Sequence, residues 1–353
     1  MTRYWMTLVY VLFVTMNAGA AIPGDIWETT GVDGGLVVHV GCGDGSDTAA
    51  LARSAAYVVH GLAADAGDAA AARKHLQDAG VYGAVSVQHW PHGHLPYADH
   101  LANLVVAEDL GEIPVSEVMR VLCPDGVALI KEGDVWRKKV KPRAASLGEW
   151  THYLHDADGN AVGHDKVVGP PKHIQWMGEP KTARGHEDLA SVSASVTTGG
   201  RVFYIADEGP QASAALPAEW RLIARDAFNG KLLWKRDIGR WEGSLRGFRS
   251  GPTEMPRRLV AIDDTVYATL AYGAPVTALD AATGRTVRTY PATRNALEMV
   301  FRGGVLFVLT GEMDETLAAE AEERRGAMPP AKNRKVIAVR AESGEVLWQR
   351  DDE

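Results

Sequence analysis

Three stretches in the second half of the chain repeat one pattern, and that repetition limits the fold more than any other feature. They are LIARDAFNGKLLW (222–234), VTALDAATGRTVR (276–288) and VIAVRAESGEVLW (336–348). Each reads as an apolar strand, a turn ending in glycine, and a second strand. The glycine supplies the positive φ that a tight antiparallel connection needs. Gly230, Gly284 and Gly344 recur at 54 and 60 residues (230 to 284 to 344), a blade-like period. Arg201 to Ile205, Thr265 to Thr269 and Gly304 to Leu309 add further strands.

The pattern resembles the repeats of quinoprotein-type β-propellers, roughly Ala-x-Asp-x-x-Thr-Gly-x-x-x-Trp. Asp226, Asp280, the three glycines, Trp234 and Trp348 match it. Arg288 replaces the tryptophan of the second repeat and Arg340 the aspartate of the third. The resemblance implies that Trp234 and Trp348 dock neighbouring blades, a packing role. It implies a scaffold that binds protein or polysaccharide. It argues against pyrroloquinoline quinone (PQQ), because no cysteine follows Cys123 to form the pair that often lies beside that quinone. About 190 residues supply three or four blades, against the four to eight that close a ring. The expectation over 191–353 is therefore an incomplete propeller, degenerate or the first part of a longer protein. Leu317 to Arg325 predicts a helix on a blade loop.

The first half has another architecture. Val37 to Val40 reads as a buried strand, and Gly41-Cys42-Gly43-Asp44-Gly45 breaks it before a helix-compatible run. A strand, a glycine turn and a helix start form a backbone cradle for a polar or anionic ligand. The spacing is G-x-G-x-G, not the dinucleotide G-x-G-x-x-G. Strands over 55–62, 85–88, 101–107 and 127–131 alternate with helices over 69–79 and 115–122, with a turn at Pro124-Asp125-Gly126. Such alternation implies a parallel sheet covered on both faces, with ligands at the carboxyl ends of the strands.

The glycine turn, Leu95-Pro96-Tyr97-Ala98-Asp99 and Val118 to Gly126 together resemble class I S-adenosylmethionine (SAM)-dependent methyltransferases. That implies a Rossmann-like α/β fold over 25–135, with SAM as cofactor and Gly41, Cys42, Gly43, Asp44 and Gly45 as its cradle. The family usually carries an acid where this chain has His39. Its ribose-binding acid falls at Ala63, with Asp65 two residues on as the substitute. The sheet is expected to end at the fifth strand, without the family's final hairpin. An attached propeller would position the acceptor.

Composition narrows the rest. A chain of 353 residues suggests two domains. A net charge of −8 argues against a general nucleic-acid grip, which needs a basic face. Arg3, the apolar Trp5 to Met16 and Ala18-Gly19-Ala20 read as a signal peptide over 1–20, too short to span a membrane stably. The mature chain is then exported, periplasmic or extracellular, with Cys42 and Cys123 as free buried thiols. As a whole the chain resembles exported hybrid proteins of planctomycete-like bacteria that join these two domain types.

Residues 136–190 read as linker and junction, opening on a solvated basic run from Lys131 to Arg143. His89 to His94 holds three histidines in a loop with no carboxylate-rich spacing, and a solvated loop is expected. His152, His155, Asp156, His164 and Asp165 form a second cluster, and His186-Glu187-Asp188 a third. No zinc spacing is recognised, and hydrogen-bonded packing at a domain junction is expected.

Overall fold

The computed structural model describes residues 22–166, 169–170, 174–179, 192–210, 212, 216–239, 254–312 and 331–351. The signal-like stretch, His186-Glu187-Asp188 and Leu317 to Arg325 lie outside the described residues.

The N-terminal unit is one six-stranded sheet. Its strands are β1 (Gly35–Val40), β2 (Tyr57–Ala63), β3 (Val85–His89), β4 (Ala102–Ala107), β5 (Leu122–Glu132) and β6 (Val135–Val140), in the order β3-β2-β1-β4-β5-β6. All neighbours run parallel except β5 and β6. Helices α2 (Ser46–Ala50) and α3 (Ala66–Asp78) follow β1 and β2, after a short α1 (Ile26–Thr30); α4 (Val115–Val121) precedes β5. Alternate strand residues supply the two cores. Val37, Val59, Val87, Leu104 and Leu129 pack with Ala69, Ala72 and Leu76 of α3. Val38, Val40, Val105 and Ala128 pack with Val118 and Val121 of α4. A sheet buried on both faces needs such apolar strands.

Three expectations are corrected here. The basic run is not a solvated linker, and the sheet does not end at β5. Gly133, at φ 63, turns the chain so that Val135–Val140 pairs antiparallel with β5. Its cations are engaged: Lys139 pairs with Glu132 at 2.8 Å, and Lys141 Nζ donates to the carbonyls of Leu122 and Arg120. Charged side chains on an edge strand discourage further pairing. Pro124-Asp125-Gly126 is not a turn before β5 but a bulge within it. The register steps from Ala102↔Leu122 to Leu104↔Val127, and Asp125 takes φ 64.

The second half forms three four-stranded antiparallel sheets among the described residues. The first holds β7 (Val192–Thr198), β8 (Arg201–Asp207), β9 (Trp220–Asp226) and β10 (Leu232–Asp237). The second holds β11 (Leu259–Ile262), β12 (Thr265–Thr269), β13 (Val276–Asp280) and β14 (Thr286–Thr289). The third holds β15 (Ala296–Arg302), β16 (Val305–Glu312), β17 (Lys332–Arg340) and β18 (Val346–Asp351). Their first strands lie side by side, with β11 against β7 and β15, so the blades fan out from a common inner edge.

Side-chain hydrogen bonds dock each blade on the next, and between the first two Arg236 Nη1 also donates to Gly284 O at 2.8 Å. Trp234 Nε1 donates to Ala281 O at 2.9 Å, and its ring covers Gly284 so closely that a Cβ there would lie 2.6 Å away. Trp176 does the same to Ala227 O, at 2.9 Å, and to Gly230. At the next step Arg288 replaces the tryptophan. Its stem covers Gly344, and Tyr290 Oη donates to Ala341 O at 2.6 Å. Trp348 stays 43% exposed and makes no such bond to a described residue.

The first blade holds the N-terminal unit. Asn103 of β4 donates through Nδ2 to Asp226 Oδ2 at 2.6 Å and accepts from Leu36 N at 2.9 Å and Asn229 Nδ2 at 2.7 Å. Asn229 Nδ2 also reaches Leu101 O at 3.0 Å. Gly35, at φ 98, makes room: a Cβ there would sit 2.0 Å from Asn103 Oδ1. Asp226 is only 5% exposed, so its carboxylate depends on these donors. We expect Asn103→Ala to lower the urea unfolding free energy of the full chain by about 3 kcal/mol, since it strands Oδ2 of the buried Asp226 carboxylate and the Leu36 N–H. A loss below about 0.5 kcal/mol, the size of a surface substitution, would show that this contact does not hold the units together.

Candidate cofactor-binding site

The strand order reverses between β1 and β4, and the crevice at their carboxyl ends is where such sheets take ligands. The glycine turn lies there. Gly41, Gly43 and Gly45 have φ of 76, 48 and 84. Gly41 N and Cys42 N both donate to Leu62 O, which folds the turn over β2, and Gly45 N closes it on Cys42 O. Asp44 Oδ1 accepts the N–H and the hydroxyl of Ser46 at 3.0 and 2.7 Å. These bonds hold the Asp44 carboxyl below the usual range.

The last and the middle glycine differ in purpose. A Cβ on Gly45 would stand 3.0 Å from Cα of Ala72, so this residue lets the turn pack on α3. A Cβ on Gly43 would meet nothing within 4 Å. Its surroundings are open, as a backbone cradle requires. Cys42 contributes backbone alone, because its buried side chain packs against Gly61 of β2. Burial pushes that thiol up to about 11. Cys123 lies at the opposite end of the sheet, and both cysteines are free.

Asp65 caps α3. Its Oδ1 accepts from Gly67 N at 2.6 Å and Asp68 N at 3.1 Å, while Oδ2 takes no part in the cap. Across the crevice, β4 runs out into Glu108 and Asp109, with Asp109 O 3.9 Å from the Cβ position of Gly41. These two acids were not singled out from the sequence. Their signal was adjacency: two carboxylates directly after a buried strand at the reversal point.

His39 fills the place of the usual acid. It is buried, and its Nδ1 lies 2.8 Å from Thr48 Oγ1, tying β1 to α2. Burial lowers its pKa to about 4, so the ring is neutral at pH 7. Tyr97 Oη and His60 Nδ1 share a hydrogen bond at 2.7 Å. Arg120 fixes the 95–99 segment by binding Glu117, Asp99 and the carbonyls of Leu95 and Tyr97.

The remaining clusters lie elsewhere. His92 and His94 pack their rings on Trp90, whose Nε1 donates to His94 O at 2.6 Å. His152 and His155 close a tight turn in which Thr151 N donates to His155 O at 2.8 Å. His152 Nε2 accepts from Phe301 N at 3.0 Å, a packing role. A cleft of about 140 Å³ lies at the domain junction beside Asn103, Asp125 and Arg201, remote from the glycine turn.

A family model described as a methyltransferase domain matches residues 37–126. A second, described as outer membrane protein assembly factor BamB, matches 135–290 and 221–353, more than half of the chain. The chain belongs to this BamB repeat family. Its BamB-type repeats follow a domain of methyltransferase fold. Similar solved structures include a putative S-adenosyl-L-methionine-dependent methyltransferase from Methanococcus maripaludis, at 21% identity and TM-score 0.28 over 30% of this chain and 51% of that one. Another is the YcgJ protein of Bacillus subtilis, at 27% and 0.27 over 30% and 48%. A third is a putative sarcosine dimethylglycine methyltransferase from Galdieria sulphuraria, at 21% and 0.28 over 30% and 43%. The chain thus spans about half or less of their lengths. No curated protein matches it. No helix among the described residues is long and apolar enough to cross a membrane.

The neutral His39 gives a pH dependence. The folded state refuses a proton below the ordinary value of 6.5 until about 4, while the unfolded chain accepts it. The stability linked to His39 is therefore complete above about pH 6.5 and is lost as pH falls toward 4, by about 3 kcal/mol. Urea titrations from pH 7 to 4 should show this slope, and His39→Asn, which keeps a partner for Thr48, should flatten it by that amount. An unchanged slope would mean that His39 is not the titrating group.

Proposed function

We propose that the N-terminal unit binds S-adenosylmethionine in the Gly41–Gly45 turn and presents its sulfonium in the crevice between β1 and β4. The open surroundings of Gly43, within a turn of three positive-φ glycines, carry this reading. Asp65 Oδ2 offers the ribose hydroxyls an acceptor. Glu108 and Asp109 offer negative charge to the sulfonium, and a neutral His39 does not repel it. The chemistry is transfer of the sulfonium methyl to an acceptor that loses a proton, leaving S-adenosylhomocysteine.

The reading includes an exported chain, supported by the pattern over residues 3–20 and by the outer-membrane context in the repeat family's description. The propeller-like half would hold a protein or polysaccharide. It docks on the strand starts of the sheet, through Gly35 and Asn103, about 20 Å from the glycine turn at a rise of 3.3 Å per strand residue. Among the described residues this docking contact stands apart from the crevice, so the propeller-like half offers a binding surface of its own.

Titration calorimetry of S-adenosylmethionine and S-adenosylhomocysteine into the full chain tests this. We expect micromolar binding of both, abolished in Gly43→Asp, which fills open space without touching a packed neighbour. The positive φ costs the variant about 1 kcal/mol of folding stability. Absence of heat at millimolar ligand from a folded chain would refute the proposal. That outcome would favour a non-catalytic scaffold, to which the loss of acids at His39 and Ala63 would then point.

A further inference from the structure

The turn Trp150 to His155 lies across the inner edge of the blades. Thr197 N of β7 donates to Trp150 O at 2.7 Å, Ala261 N of β11 to Thr151 O at 3.0 Å, and Phe301 N of β15 to His152 Nε2 at 3.0 Å. All three blades therefore hold it. At its end His155 is 5% exposed, edge-on to Trp150. Its Nδ1 is buried and has no hydrogen-bond partner. A buried imidazole nitrogen left so costs about 1–3 kcal/mol.

What that atom faces is informative. Asp156 Oδ2 lies 3.4 Å away, outside hydrogen-bond geometry, while Asp156 Oδ1 is committed to Asp158 N at 2.8 Å. The His164 ring packs edge-on to His155 at 4.9 Å. One ligand atom from each of His155, Asp156 and His164 lies within 4.8 Å of the others, and no second such trio occurs among the described residues.

We propose that His155, Asp156 and His164 bind one divalent cation of the zinc class at the inner edge of the blades. Two imidazoles and a carboxylate suit zinc and its first-row neighbours. With metal bonds of about 2.0–2.1 Å, two corners of a tetrahedron stand about 3.4 Å apart. His155 Nδ1 and Asp156 Oδ2 already have that separation. His164 is exposed, so its ring closes the remaining distance by rotation about its side-chain bonds. The ion gives His155 Nδ1 its missing partner. Three protein ligands leave a fourth position for water or a substrate atom, as in reactive zinc sites.

The test is titration of Zn²⁺ into the chelator-stripped, tag-free full chain, with Co²⁺ as a spectroscopic probe. One tight site is expected, and its cobalt form should show the intense visible bands of tetrahedral coordination. His164→Ala, a change at an exposed side chain, should weaken that site about 100-fold and remove the bands. Asp156→Asn keeps an acceptor for Asp158 and should weaken it similarly. A double His92→Ala, His94→Ala variant should bind as the parent does. Absence of a tight site, unchanged affinity in His164→Ala, or loss of the site in the His92/His94 variant would each overturn the proposal.

Discussion

The side-chain amide of Asn103 is the contact on which the arrangement of the two halves depends. It is held from both sides: its oxygen takes the Leu36 N–H of β1 and the amide of Asn229, and its nitrogen serves the Asp226 carboxylate. The same aspartate organises its own repeat turn, with Oδ1 accepting from Phe228 N and Asn229 N. Burial raises the Asp226 pKa, and these donors oppose that rise. A residue that elsewhere in the repeats only shapes a turn, as Asp280 does for Thr283, here also fastens a foreign sheet. Because the contact is at the strand starts, it leaves the strand ends and their glycine turn untouched.

The blades depend on a similar economy. A donor from the preceding blade or, for Trp176, from the segment before the first blade reaches the carbonyl just after the repeat aspartate position, at Ala227, Ala281 and Ala341. Two of the donors are tryptophans and the third is Tyr290. The docking geometry therefore tolerates a change of donor, provided that something also covers the turn glycine. Arg288 does so at Gly344. The small residue after the aspartate and the positive-φ glycine are the fixed parts of this joint.

Much of this was readable in the sequence because local pattern and tertiary role coincided. The strands of the first sheet are apolar runs bounded by glycine or helix starts, and the blade turns carry their glycines at a regular period. What escaped had a non-local cause. Val135–Val140 is rich in Lys and Arg, the composition of an exposed linker, and only its pairing with β5 makes it a strand. Pro124-Asp125-Gly126 has turn chemistry, which a bulge also uses. Asn103 and Asn229 are 126 residues apart, and nothing local marks either as the other's partner. At the candidate site the glycines were legible from spacing, whereas Asp65 required the structure to show that one of its oxygens caps α3.

The central claim is that ligand capture and domain docking occupy opposite ends of one sheet. Hydrogen–deuterium exchange of the full chain with and without S-adenosylmethionine tests it most directly. The account predicts added protection in peptides covering 41–46, 62–67 and 107–111, with the peptides holding Asn103 and 226–231 unchanged. Protection centred on the Asn103–Asp226 junction, or none at the glycine turn at saturating ligand, would contradict it.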